Sequence, residues 1–336
     1  MSFVVRPSRA SDLDALYEMA KLTGGGFTNL PPDRRALRNR LKASEEAFGK
    51  SADVPGPDIY LLILENLETG RIAGTAQIFA QVGQVFPFYS YRLGTLTQHS
   101  RELERTFRAE MLTLTTDYEG ASEVGGLFLH PRERAGGLGL LLARSRYLFI
   151  RQHRARFAER VIAELRGVID EAGGSPFWDG LAGKFFGMGF QEADEFNAVN
   201  GHQFIADLMP KHPIYIAMLP EAARHVIGLP HPSGRAAMKM LEAEGFRHEG
   251  YVDIFDGGPT MAARTDTIRS IAGATIAPVA RVGGEAGRRA LVATGRLTGF
   301  RCAFADLSGG DVLEIDAAGA AALGVREGDE VLHVER

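Results

Sequence analysis

Residues 127–139 read Leu127-Phe128-Leu129-His130-Pro131-Arg132-Glu133-Arg134-Ala135-Gly136-Gly137-Leu138-Gly139. An apolar stretch meets a short loop, which opens into a helical pattern through Arg134-x-x-Gly137-x-Gly139. A helix N-terminus carries unpaired N–H groups and the positive end of the helix dipole. Glycines let that backbone close on phosphate oxygens, so a pyrophosphate suits the loop. The same spacing suits a glycine-rich helix start with no ligand. A dinucleotide-binding turn fits poorly: Gly137-x-Gly139-x-x-Leu142 lacks a third glycine, and the glycines do not follow the strand directly. A Walker-type loop fails because no Gly-Lys-Ser/Thr follows. His231, in Leu229-Pro230-His231-Pro232, offers an imidazole suited to proton transfer near neutral pH. Taken alone it is a loop histidine beside prolines. No His-Glu-x-x-His occurs, and Cys302 has no partner thiol, so no metal motif is present.

The elements that must position these residues follow from periodicity and punctuation. A first strand covers residues 3–6. A helix over 12–22, with Ser11 as its cap, ends at Gly24-Gly25-Gly26, and a second helix runs over 32–48. Strands are expected at 59–65 and 71–80, around a turn at 68–70, and at 89–97; residues 113–116 are ambiguous. A short strand at 124–129, an apolar helix at 138–154 and a strand at 161–166 come next. A helix over 177–188 closes at Gly189-Phe190. Beyond Met209, helices are expected at 222–227 and 232–244, and a strand at 250–255. A small β-rich tail has pieces at 289–294, 300–307, 311–315 and 330–334, with a helix at 317–323. The order gives an α/β (α+β) layout with a mixed central sheet. Helices ending in Gly189-Phe190 and Gly245-Phe246 leave open two related halves, although glycine ends many helices.

Composition excludes several classes. Hydrophobic residues make up 45% and charged residues 24%, as in an ordinary globular protein. The net charge of −4 is spread without a Lys/Arg block, which argues against nucleic-acid binding. No apolar run is long enough to span a bilayer, and the first residues lack a signal-peptide core. The lone cysteine fits a reducing compartment, and a cytoplasmic protein is expected.

The strand, the Arg134-x-x-Gly137-x-Gly139 loop and the following helix resemble the acyl-CoA signature of the GCN5-related N-acetyltransferase fold. Residues 188–190 look like that fold's closing helix end. Four longer stretches, at 21–31, 166–178, 208–215 and 251–260, are similar to the arginine N-succinyltransferase family in order and across nearly the whole chain; the tail matches least clearly. The resemblance implies a mixed central sheet flanked by helices. It implies transfer of succinyl from succinyl-CoA, a co-substrate rather than a permanently bound cofactor, to the α-amino group of L-arginine. Leu127, Phe128 and Leu129 would hold the pantetheine arm, Arg134, Gly137 and Gly139 the pyrophosphate. His231 would be the catalytic histidine. Glu123, Glu164, Asp170, Asp253 and Asp256 are candidates for the guanidinium, and Arg166 and Lys211 for the succinyl carboxylate. Domains are expected at 1–200 (acyl-CoA binding), 201–275 (a second α/β half completing the site) and 276–336 (the β-rich lobe). A homo-oligomer, or an assembly with a related chain, is expected. The alternatives are a related acyltransferase acting on ornithine or another amine, and a non-catalytic CoA-binding partner subunit.

Overall fold

The computed structural model describes residues 2–23, 29–200, 203–284 and 287–336, without the side chains at 195, 197–200, 205 and 206. Part of the 21–31 stretch, residues 24–28, therefore lies outside the described residues.

Phe3, Val4 and Val5 are buried, so strand β1 (Phe3–Pro7) runs inside the sheet and not at its edge. Helix α1 (Leu13–Lys21) follows a 3-10 turn that is not capped by Ser11. Instead Asp12 accepts from the Arg9 N–H at 2.7 Å and is locked by the buried Arg6 guanidinium at 2.9 Å. Asp33 caps α2 (Arg34–Gly49) by accepting from the Ala36 N–H. β2 (Ile59–Asn66) and β3 (Ile72–Phe79) form the expected hairpin. β4 (Ser90–Ser100) and β5 (Arg105–Thr115) form a longer one, and the ambiguous residues 113–115 are the end of β5.

β6 (Ser122–Leu129) leads through the glycine loop into α3 (Leu138–Gln152), which is buried all round from Leu141 to Ile150. β7 (Arg160–Glu164) follows. The helix expected over 177–188 is two short pieces, α4 (Pro176–Gly180) and α5 (Gly183–Phe186), the second ended by Gly187 at φ 64°. Phe190 opens α6 (Phe190–Asn200) and closes nothing. With α7 (Gln203–Leu208), β8 (Ile214–Tyr215) and α8 (Glu221–Val226), these pieces pack around Trp178 in a core of their own. The helix that returns the chain to the sheet is α9 (Arg235–Ala243), which passes through Gly245, at φ 96°, and Phe246 into β9 (Arg247–Asp253) and β10 (Pro259–Arg264). Leu241 and Phe246 belong to the main core, whereas Phe190 belongs to the Trp178 core. The helix end that returns the chain to the main core is thus Gly245-Phe246, and not the expected 188–190. The similar sequence at 189–190 lies in an insertion, because a helix ending in glycine is a local event that does not determine which core receives the next apolar residue.

The main run of the sheet is β1-β2-β3-β6-β7-β10-β9-β4-β5-β8. The chain continues through α10 (Arg269–Ala272), β11 (Thr275–Val282), β12 (Arg288–Thr294), β13 (Arg301–Gly309), β14 (Leu313–Ile315), α11 (Ala317–Leu323) and β15 (Glu330–Glu335). The order β12-β15-β11-β14-β13, with β12 also paired to β13, closes five strands into a small barrel. Its strand β13 meets β1 at Val5↔Cys302, and Phe300 packs edge-on against Phe149 of α3 with centroids 5.1 Å apart. Among the described residues no helix is long and apolar enough to cross a membrane.

Candidate active site

Two neighbouring strands come apart at the centre of the sheet. β6 and β7 run parallel and pair only at Ser122↔Val161 and Glu123↔Ile162. On its other side β6 shifts register against β3 between Thr75 and Gln77, where Gly126 takes φ 56°. A Cβ at Gly126 would press on the Gln77 side chain at 2.7 Å, so only glycine fits without displacing it. Beyond Glu123 the β6 edge facing β7 is therefore available to an extended ligand, and Leu127, Phe128 and Leu129 lie on it. A cleft of about 1310 Å³ opens there.

The glycine loop forms one end of this cleft. Gly136 and Gly137 hold φ 64° and 82°, Gly137 is the N-cap of α3, and no acid lies in the first turn of that helix. Gly139 has open space: a Cβ there would meet only Leu129 Cδ2, at 3.9 Å. Arg134 is exposed and its Nε donates to the Leu129 carbonyl at 3.4 Å.

Carboxylates gather further in. Glu123 from β6, Glu164 from the end of β7, Asp253 from the end of β9 and Asp256 from the turn after it all line the cleft. Burial pushes Glu123 up to about 7, aided by Asp253 and opposed by Arg40. Burial also raises Glu164 well above the ordinary carboxylate range, with Asp253, Glu123 and Asp256 adding to it. Its Oε1 is buried without a hydrogen-bond partner. Asp256 is raised to about 7 by burial and by Asp253, but both its oxygens accept backbone N–H groups, from Gly167 at 2.7 Å and Gly258 at 2.8 Å. It fastens the turn to the end of β7. Asp253 uses one oxygen on the N–H groups of Phe255 and Asp256. Asp170 is elsewhere: it is exposed, accepts from Ala172 and Gly174, and does not line the cleft.

Five arginines line the cleft, and most of their guanidiniums are committed. Arg144 pairs with Glu244 at 3.0 Å inside the protein. Arg146 donates to the carbonyls of Ala143 and Gly125. Arg40 donates to the Asn29 carbonyl and to Gln77 Oε1, and burial brings it down to about 10. Arg134 sits at the loop. Arg166 has a buried Nε with no partner, and burial lowers its pKa against the attraction of Asp256 and Asp194. Lys211 is exposed and does not line the cleft.

His231 does not itself line the cleft but belongs to the segment that leads to it. Its N–H donates to the Arg166 carbonyl at 2.7 Å, and Pro230 bridges Gly167, so the His-Pro segment is stitched to the end of β7. The next residues, Ser233 and Gly234, line the cleft. Nδ1 lies 2.7 Å from Ser233 Oγ and 3.2 Å from the Ser233 N–H, so the ring is held through Nδ1, and Nε2 has no hydrogen-bond partner among the described residues. Burial and the Arg166 charge lower its pKa, favouring the neutral ring. His130-Pro131 makes the same capping contact, with Nδ1 accepting the Arg132 N–H, so capping alone does not distinguish the two histidines.

The sequence reading missed Arg40 and Asn29, which line the cleft beside Glu123, and Gln77, which accepts from Arg40 behind them. The signal was Gly125-Gly126 inside an apolar strand, a doublet that marks a bulge.

The family model described as arginine N-succinyltransferase beta subunit matches residues 3–270, and the model of that subunit's C-terminal domain matches 274–335. The arginine N-succinyltransferase subunit beta of Pseudomonas aeruginosa is 45% identical over 269 residues, covering 80% of this chain and 78% of that protein. The arginine N-succinyltransferase of Citrobacter koseri is 44% identical over the same length and shares. The solved structure of arginine/ornithine succinyltransferase subunit AI from Pseudomonas aeruginosa superposes with a TM-score of 0.91 at 35% identity, covering 99% of this chain and 98% of that one.

Proposed function

The chain belongs to the arginine N-succinyltransferase family, and from that premise we propose that it moves a succinyl group from succinyl-CoA to the α-amino group of L-arginine. The observation that carries the substrate is the group of buried carboxylates facing a splayed strand and a glycine loop in one cleft. A guanidinium presents donors in a planar fork that matches carboxylates. Glu123, Glu164 and Asp253 would receive it, with Asp256 holding the turn in place. Among the described residues no three His, Cys, Asp or Glu side chains are placed to share a metal ion, so an organic cation is the better occupant.

The backbone of Leu127, Phe128 and Leu129 would pair with the pantetheine arm, and Arg134, Gly137 and Gly139 would hold the pyrophosphate. Arg166 is the arginine of the cleft with a buried, unpartnered nitrogen, and would receive the succinyl carboxylate. The arginine α-nitrogen attacks the thioester carbonyl carbon, the C–S bond breaks, and the amine gives up a proton while sulfur gains one. Nε2 of His231 would take the proton that the attacking amine loses. The imidazolium so formed would give a proton to the sulfur as the C–S bond breaks, so the ring is neutral before and after. Residues 1–200 would carry the acyl-CoA surface, residues 201–275 would complete the site through His231, Asp253 and Asp256, and residues 276–336 form the lobe on α3.

Ornithine is the second reading, since buried carboxylates also suit an ammonium group. Assembly with a second chain is part of the proposal, supported by the relatives named as subunits. A cytoplasmic setting is supported by the buried, unpaired Cys302. The test is turnover of succinyl-CoA with arginine, ornithine, citrulline and lysine, read as thiol release and product mass. Citrulline lacks the charge of the fork and should lose on the order of 2–5 kcal/mol of transition-state binding. Equal kcat/KM for arginine and citrulline would remove the guanidinium site. No thiol release with any amine would favour a non-catalytic CoA-binding subunit.

A further inference from the structure

The last strand of the barrel ends beside the glycine loop. Arg336 follows β15, and a Cβ built on Gly137 would overlap its guanidinium. The same guanidinium stands over the Phe304 ring at 5.1 Å, and Arg289 stands over that ring at 5.6 Å. Arg289 is paired with Asp306 at 3.3 Å, whereas Arg336 has no acidic partner among the described residues. Its neighbour Glu335 is engaged with Arg288.

This is an unfavourable place for an unpaired cation. The N-terminus of α3 is the positive end of a helix of 15 residues, and the first turn contains no acid. Arg134 adds a second exposed guanidinium in the same loop. The Arg336 guanidinium and the positive end of the helix therefore meet at Gly137 with no acid in the first turn to offset them. An anion bound at the loop would relieve that repulsion and would find the Arg336 guanidinium beside Gly137. Gly137 allows the approach, since any side chain there would push Arg336 away. The Phe304 ring lies near the guanidinium without using its N–H groups.

We propose that Arg336 is a phosphate-binding residue of the acyl-CoA site, and that the C-terminal barrel thereby recognises the nucleotide end of the co-substrate. This rests on the glycine loop holding the CoA phosphates. The pyrophosphate and the 3′-phosphate share the required chemistry, and the experiment separates them.

Arg336→Gln and Arg336→Lys are compared with the unchanged protein by calorimetry against CoA and 3′-dephospho-CoA, and by KM for succinyl-CoA and for succinyl-pantetheine, which carries no nucleotide phosphate. Losing a charged hydrogen bond lowers affinity by roughly ten- to a hundredfold. Arg336→Gln should therefore weaken CoA by about that factor and flatten the salt dependence of binding. KM for succinyl-pantetheine should stay within about twofold, and Arg336→Lys should recover part of the loss. A loss seen with CoA and dephospho-CoA alike assigns Arg336 to the pyrophosphate; a loss seen only with CoA assigns it to the 3′-phosphate. Unchanged CoA affinity in Arg336→Gln overturns the proposal, as does an equal loss for succinyl-pantetheine, which would mark a structural role. If the unchanged protein itself binds CoA no better than pantetheine, the loop reading fails, and the Arg336 assignment fails with it.

Discussion

At the scale of single residues, the cleft combines groups whose charges oppose one another until a substrate arrives. Glu123 and Asp256 are raised to about 7, from ordinary values near 4. The sign follows from proton counting: between about pH 4 and 7 the folded state binds more protons than the unfolded chain, so stability falls as pH rises through that window. It is fully present below the ordinary carboxylate range and is lost above the raised values. A cationic ligand has the reverse preference, because the carboxylates must ionise to hold it. Arginine affinity is therefore expected to rise from pH 5.5 to 8, while the melting temperature of the free protein falls over the same span. Glu123→Gln should flatten both slopes; titration calorimetry and thermal melts across pH check this, and parallel slopes in the two proteins would contradict it. His231 makes a different prediction. His231→Ala should lower kcat by roughly 10²–10⁴-fold with succinyl-CoA affinity nearly intact, the range for one positioned proton donor. A stable variant with near-normal kcat, where chemistry limits the rate, would leave His231 only its capping contact to Ser233. The histidine and the carboxylates were nameable in the sequence through family resemblance. Asp170 lies apart from the other four, outside the cleft, because proximity to a shared stretch says nothing of direction: its side chain turns back onto Ala172 and Gly174.

At the scale of elements, the site depends on a strand that stops pairing and a helix that starts with glycines. The loop and α3 were legible in the sequence because their pattern is local. The opening between β6 and β7 was not: the Gly125-Gly126 doublet marks a bulge, but only the pairing register shows which neighbour the strand leaves. The insertion from α4 to α8 was misread for a related reason: helix-Gly-Phe recurs at 189–190 and 245–246, and only packing tells which one returns to the sheet. Two glycines of the loop separate fold from ligand. Gly137 has φ 82° and lies against Arg336, so a side chain there disturbs the free protein. Gly139 has neither constraint, and its Cβ would point into open space. Gly139→Val should therefore leave the melting temperature within a few degrees and still weaken succinyl-CoA, because the added methyls occupy the closest approach of phosphate to backbone. Calorimetry on the folded variant decides; unchanged affinity would place the pyrophosphate elsewhere.

At the scale of the whole molecule, the barrel is joined to the sheet it follows. Leu291, Ala293, Phe300, Cys302, Leu332 and Val334 from the barrel share one core with Phe149, Leu148 and Tyr60 from the sheet and α3. The sequence showed a β-rich tail and most of its pieces. It did not show β11, whose alternating exposed positions hide its pairing with β14 and β15, nor the closure of the five strands, which is a long-range event. A shared core carries a thermodynamic consequence. If the barrel folded independently, a cavity cut at the junction would lower only its own transition. Phe300 tests this, being fully buried with its ring edge-on to Phe149. Removing a buried phenylalanine typically costs about 3–5 kcal/mol. Because α3 carries that contact at one end and the glycine loop at the other, Phe300→Ala should shift one cooperative transition for the whole chain. The single tryptophan, Trp178, lies in the other core and reports from a distance. Urea unfolding followed by Trp178 fluorescence and by far-ultraviolet circular dichroism should give coincident curves in both proteins, displaced together in the variant. A variant in which dichroism shows an early partial transition while Trp178 fluorescence keeps its original midpoint would mean that the barrel unfolds alone, and that it is docked on α3 and not built into its core.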